Sequence, residues 1–237
     1  PPALVHHGDL RQPREGARVR RAPALLGLSD AAARRASGAA DMRCEPAPWR
    51  WHDDGMPLPA PTLTTERLLL RPFADTDADS LYALQSDPVV VRYWDSPAWT
   101  DPSRAVAFLA SCRTMAEEGS GTRLVVERSG DGAFLGWTTL NGWNPVFRSA
   151  SLGYSFAERA WGHGYATEAA GALLDWAFGT LDLNRVQAET DTRNLASARV
   201  LEKLGFQREG TLREVCIVDG VVSDSWVFGL LRRDRET

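Results

Sequence analysis

The run Arg159-Ala-Trp161-Gly162-His163-Gly164-Tyr165-Ala166-Thr167-Glu168 holds the residues of this chain best suited by type and spacing to do chemistry. Two glycines one residue apart let the backbone turn through conformations that other residues avoid, so successive N–H groups can converge on one point. Apolar residues then recur at Ala166, Ala169, Ala170, Leu173, Leu174, Ala177, Phe178 and Leu181, the period of a helix with one buried face. The preceding Leu152-Gly153-Tyr154-Ser155-Phe156 reads as a strand. A strand, a glycine turn and a helix N-terminus together make an anion site, because the helix dipole adds about half a positive charge to the free N–H groups. A diphosphate is the natural occupant. Spacing narrows the ligand: a dinucleotide fingerprint needs a third glycine where Thr167 stands, and the G-x-x-x-x-G-K-[ST] phosphate loop is absent.

What remains, Arg159-x-x-Gly162-x-Gly164, resembles the diphosphate loop of the GNAT superfamily of acyl-CoA N-acyltransferases. Further along, Asn194-Leu-Ala-Ser197-Ala-Arg199-Val-Leu201-Glu-Lys-Leu204-Gly205-Phe206 resembles a helix of the same superfamily, most closely in the branch of the ribosomal-protein serine and alanine N-terminal acetyltransferases. Leu63-Thr-Thr-Glu66-Arg67-Leu-Leu-Leu-Arg71-Pro72-Phe73 and the closing Glu209-Gly-Thr-Leu-Arg213-Glu, Asp219-Gly220 and Trp226-Val-Phe-Gly-Leu-Leu231 are similar to that branch too. The resemblance covers about residues 62–233. It implies acetyl-CoA as cosubstrate, no metal, and an amine acceptor, with a protein N-terminus first. Acetylation of a small-molecule amine and a non-catalytic CoA-binding module are the rivals. Dimers are common in the superfamily, so a monomer or a homodimer is expected.

By the resemblance, acyl-CoA lies where the fourth and fifth strands splay into a V. The backbone of Tyr154, Ser155 and Phe156 then pairs with the pantetheine amides like an added strand. The N–H groups of Trp161, Gly162, His163, Gly164, Tyr165 and Ala166 hold the diphosphate. Arg159 is a phosphate contact or a solvated charge, and His163 is a loop filler or weak phosphate contact rather than a base. Asn194 is a good helix N-cap and, by the resemblance, a CoA contact; Ser197 completes the cap or gives a proton to the leaving thiolate. Many relatives carry a glutamate on the fourth strand, where this chain has Ser151. Glu189 is then the candidate general base, with Asp191 beside it. An α-amine, with a pKa near ~7.7–8, is partly neutral already, whereas a lysine at ~10.4 is not, so a weak base favours an N-terminus. No cysteine is needed as nucleophile, and Cys216 reads as core.

Around these residues, strands are expected at about 66–72, 122–128, 133–143, 148–156, 185–191, 206–217 and 224–232. Helices are expected at 77–86, 102–118, 164–180 and 195–204. This is an α/β sandwich: one mixed, mostly antiparallel sheet flanked by helices. Arg92, Tyr93, Trp94, Trp99, Trp137, Trp143 and Trp226 give the expected acceptor side a high aromatic density. Trp94 and Trp99 sit in the connection between the first two helices, which hints at an apolar or flat acceptor.

The 237 residues suffice for one ordinary domain and an extension, and 43% hydrophobic residues is ordinary for a globular chain. All but one of the 27 basic residues are arginine, read as coding bias, and the net charge of −4 argues against a nucleic-acid partner. No apolar run approaches the ~20 residues of a membrane helix. Three scattered cysteines form no metal-type pair, so a reducing cytoplasmic setting is the default. Residues 1–56 carry nine basic and seven acidic residues, a net +2 that leaves −6 for 57–237. Lacking any sustained period, they read as a disordered extension, translated upstream of the true start, ahead of a 57–237 domain.

Overall fold

The computed structural model describes residues 57, 58 and 60–235. The expectation for residues 1–56 lies outside the described residues. In chain order the elements are β1 (Leu63–Thr64), β2 (Leu68–Pro72), α1 (Ala78–Gln85), α2 (Pro88–Val91), α3 (Ser103–Glu117), β3 (Gly121–Arg128), β4 (Phe134–Asn144), β5 (Ser149–Phe156), α4 (Tyr165–Thr180), β6 (Arg185–Asp191), α5 (Leu195–Lys203), β7 (Gln207–Val218), β8 (Val221–Leu231) and α6 (Arg232–Arg235). The eight strands form one sheet in the order β1-β2-β3-β4-β5-β6-β8-β7. Every pairing is antiparallel except β5 with β6, which the crossover helix α4 joins. This is the expected mixed, mostly antiparallel sheet flanked by helices. The strand expected as the fourth is β5, and the fifth is β6.

The two faces of the sheet carry separate cores. On one, Ala166, Ala169, Ala170, Leu173, Leu174, Ala177 and Phe178 of α4 are all buried, as their spacing foretold. They pack with Leu152, Tyr154 and Phe156 of β5, Ala188 of β6, and Ala198 and Leu201 of α5. The small residues come first along α4, which lets its N-terminal turns lie close to the strands. On the other face, Leu81, Leu84, Val90, Val91, Ala105 and Leu109 of α1–α3 pack against Trp137 of β4.

Three departures from expectation have local causes. Helix α2 is a four-residue turn at Pro88, opened by Asp87, whose Oδ1 accepts from the Val89 N–H at 2.8 Å. It is too short to show a period. Strand β1 is only two residues and pairs with β2 alone. The last two strands pair with bulges at Arg208/Gly210 and Leu212/Cys216, and the first residues of β8 join them earlier than alternation suggested. Among the described residues no helix is long and apolar enough to cross a membrane.

Candidate active site

Strands β5 and β6 pair at just three positions, Ser149 with Arg185, Ala150 with Val186 and Ser151 with Gln187. Beyond these they part. Residues 152–156 keep β4 as their neighbour, and residues 188–191 keep β8. Two strand edges therefore face each other across a V, each able to pair with an extended ligand that carries amides. Alternation sorts the lining. Tyr154, Phe156 and Ala188 join the α4–α5 core. Ser155, whose register partner is Trp137, and Glu189 therefore face the α1–α3 side.

At the end of β5 the chain turns into the glycine loop. The Trp161 indole N–H donates to the Phe156 carbonyl at 2.7 Å, and the Trp161 backbone N–H to the Glu158 carbonyl at 3.0 Å. Trp161 thus spends both donors within the turn. The N–H groups of residues 162–165 find no acceptor among the described residues. Gly162 and Gly164 have φ of 77° and 81°, the left-handed region. A Cβ on Gly162 would meet nothing within 4 Å, and one on Gly164 would meet only Arg67 Nη2 at 3.6 Å. The need for glycine here is conformational, not steric, and costs other residues about 1–2 kcal/mol. Gly164 is the N-cap of α4 and offers no side-chain cap, which leaves the first turn and the dipole of α4, with Ala166 buried in it, directed at the loop. These residues fit a diphosphate by the chemistry of the donors they leave open. The His163 ring stacks on Tyr165 with 5.6 Å between centroids. Arg159 turns toward β4 and donates to the Phe134 carbonyl at 2.6 Å. It lines a separate cavity of about 210 Å³ with Asp87, Phe134 and Glu158.

On the α5 side of the V, Asn194 caps its helix: its Oδ1 accepts from the Ser197 N–H at 3.2 Å. Ser197 is fully buried, and its Oγ lies 3.0 Å from the Tyr154 hydroxyl. Burial pushes that phenol well above its ordinary value, more than its bond to Ser197 lowers it, so the hydroxyl pair stays protonated. Expectation had used only the backbone of Tyr154. Its side chain could have been aimed at the helix by counting alternation along β5, but nothing in the sequence says which helix residue meets it.

On the opposite side, Glu189 is half-buried, with Oε2 shielded from solvent. Asp191 is engaged by Arg193, which gives its backbone N–H at 2.8 Å and two guanidinium donors at 2.9 and 2.6 Å. Burial pushes the Asp191 carboxyl up, but these bonds outweigh it and hold the group below its ordinary value. Trp137 packs edge-on to Trp94 at 5.5 Å and tilted to Phe108 at 5.7 Å. The Trp94 and Trp137 indole nitrogens and Ser155 Oγ are buried with no hydrogen-bond partner among the described residues. Cys216 is buried, which raises its thiol pKa, as does nearby Asp95. That suits a packing role.

Residues 67–207 match the family model described as an acetyltransferase (GNAT) domain. The chain is similar to p20 of Bacillus licheniformis, an uncharacterized N-acetyltransferase, at 34% identity over 173 residues, 73% of this chain and 97% of that protein. It is similar to YdaF of Bacillus subtilis (strain 168), a proposed ribosomal N-acetyltransferase, at 36% over 106 residues, 45% of this chain and 58% of that one. It is similar also to the spermidine N(1)-acetyltransferase of Escherichia coli (strain K12), at 30% over 152 residues, 64% and 78%. Among solved structures, Mycobacterium smegmatis RimJ in complex with CoA-disulfide superposes with a TM-score of 0.65 at 27% identity, covering 72% of this chain and 84% of that one.

Proposed function

The chain belongs to the GNAT acetyltransferase family, and from that premise we propose that it carries an acetyl group from acetyl-CoA to the α-amine of a protein N-terminus in the cytoplasm. Acetyl-CoA, when bound, supplies the activated acetyl group. The N–H groups of residues 162–166 hold its diphosphate, and the free edge of residues 152–156 pairs with its amides. Glu189 takes the proton of the incoming ammonium, directly or through water. Ser197, steadied by Tyr154, gives a proton to the departing sulfur. The two groups lie on opposite faces of the sheet, so the amine enters from the α1–α3 side and the sulfur leaves toward α5.

The buried indole N–H groups of Trp94 and Trp137 carry the choice of acceptor. An indole nitrogen can only donate. A buried donor needs an acceptor oxygen, and leaving it without one costs about 1–3 kcal/mol. A peptide brings backbone carbonyls to this side; a polyammonium such as spermidine brings none. A polyamine would instead call for several carboxylates, and beside Glu189, which serves as the base, Asp191 is already committed to Arg193. Ser151 in place of a fourth-strand glutamate points the same way, since an α-amine asks less of its base.

The test is release of free thiol from acetyl-CoA with peptides that begin with Ser, Ala or Met, a lysine peptide blocked at its N-terminus, spermidine and an aminoglycoside. Turnover confined to free peptide N-termini is expected. A higher kcat/KM for spermidine or the blocked lysine peptide would move the function to side-chain or small-molecule amines. CoA binding without turnover on any amine would leave a non-catalytic module.

A further inference from the structure

Arg67 lies in the turn between β1 and β2, 101 residues before Glu168 in the chain, yet it touches the glycine loop at every level. Its Nη1 donates to the His163 carbonyl at 3.1 Å. Its Nε donates to Glu168 Oε2 at 2.7 Å, and Nη2 lies 2.6 Å from the same oxygen. The guanidinium carbon sits 4.8 Å from the centroid of the Tyr165 ring. Glu168 Oε1 in turn accepts from the Arg67 backbone N–H at 3.1 Å and from Thr65 Oγ1 at 2.6 Å. One short turn thus grips residues 163, 165 and 168, the stretch that spans the loop and the first turn of α4.

Two physical problems are met by this brace. First, Gly164 offers no side-chain cap, and both glycines are in a conformation that the unfolded chain leaves readily. The loop needs an outside hold to keep its N–H groups converged. Second, Glu168 puts a carboxylate in the first turn of α4. That sign suits the helix dipole but repels a bound diphosphate, and the guanidinium offsets it. Burial pushes the Glu168 carboxyl up, while the bonds from Thr65 and Arg67 more than reverse this, so the group stays ionised and bonded.

We propose that Arg67 is a positioning residue of the diphosphate site: by bonding the His163 carbonyl and the Glu168 carboxylate together, it fixes the glycine loop and offsets the negative charge in the first turn of α4. The proposal rests on reading residues 162–166 as the diphosphate site. The test compares dissociation constants for CoA and for pantetheine, which lacks the diphosphate and the phosphorylated adenosine beyond it, in the wild type and in Arg67→Ala, Arg67→Lys, Glu168→Gln and Arg67→Ala/Glu168→Gln, with thermal melting to verify folding. Wild type should prefer CoA strongly. Arg67→Ala should weaken CoA by roughly ten- to hundredfold while pantetheine changes little. Arg67→Lys, which keeps the charge but not the fork, should fall between. The loss on removing Arg67 should shrink in the Glu168→Gln background. Equal weakening of both ligands, or a folded Arg67→Lys indistinguishable from wild type, overturns the proposal. A wild type that binds CoA no better than pantetheine overturns the reading of the loop itself, and the proposal with it.

Discussion

Tyr154 and Ser197 come from different elements and share one buried hydrogen bond, so the contributions to catalysis proposed for them should not add. Ser197→Ala is expected to lower kcat on the order of a hundredfold with the KM for acetyl-CoA nearly unchanged, the usual weight of a lost general acid. Tyr154→Phe should lower kcat less, and the double variant should be no worse than Ser197→Ala alone. Steady-state kinetics on the three variants decides it; a wild-type kcat in Ser197→Ala would leave the residue with the cap and the Tyr154 bond as its whole role. Across the sheet, Trp137→Phe keeps the ring against Trp94 and Phe108 but removes the donor. If a peptide carbonyl meets that donor, kcat/KM for the peptide should fall by roughly fivefold while the KM for acetyl-CoA holds, the net worth of one neutral hydrogen bond of about 1 kcal/mol. An unchanged peptide kcat/KM would remove Trp137 from the acceptor site.

The N-terminal turn of α4 is held by a carboxylate from within and an arginine from outside, which makes this element sensitive to acid. Glu168 has its folded value below the ordinary carboxylate value, so its contribution is complete above the unfolded value of about 4.3 and is lost as the pH falls through the folded one. Between about pH 6 and pH 3, the melting temperature of the wild type should fall more steeply than that of Glu168→Gln, which starts lower. Parallel curves would show that other carboxylates carry the acid transition. The extent of α4 was legible because seven apolar positions repeat at helical spacing over sixteen residues. The same reasoning could not see α2, which has four residues, or β1, which has two. Loop glycines were legible by type, since only a left-handed backbone explains them. The brace was not: nothing in the sequence pairs Arg67 with Glu168, 101 residues further on, and only the docking of β1–β2 on α4 brings them together. Asp191, the second candidate base beside Glu189, was likewise not seen to be engaged, because only the turn after β6 folds Arg193 back onto it.

At the scale of the molecule, the sheet consists of two runs, β1 to β5 and β6-β8-β7, joined by three residue pairs between β5 and β6. Alternation and turn signals foretold nearly every strand. They were silent on where β5 and β6 part, because on the α4 side of both strands burial continues past that point; the splay was expected from resemblance alone. If CoA pairs with the open edges, its addition should slow amide hydrogen exchange in residues 152–156 and 188–191 and leave the β2–β3 pairing unaffected. Uniform slowing across the sheet would instead indicate general stabilisation by a ligand bound elsewhere. The narrow join has a consequence for turnover. On the proposed reading, a ligand strand that fills the V would be, while it stays, the stitching between two halves of the sheet, and it would depart as product in every cycle. The protein would hand a share of its own cohesion to a molecule that it must release, so tighter stitching would strengthen the fold and slow the enzyme at once.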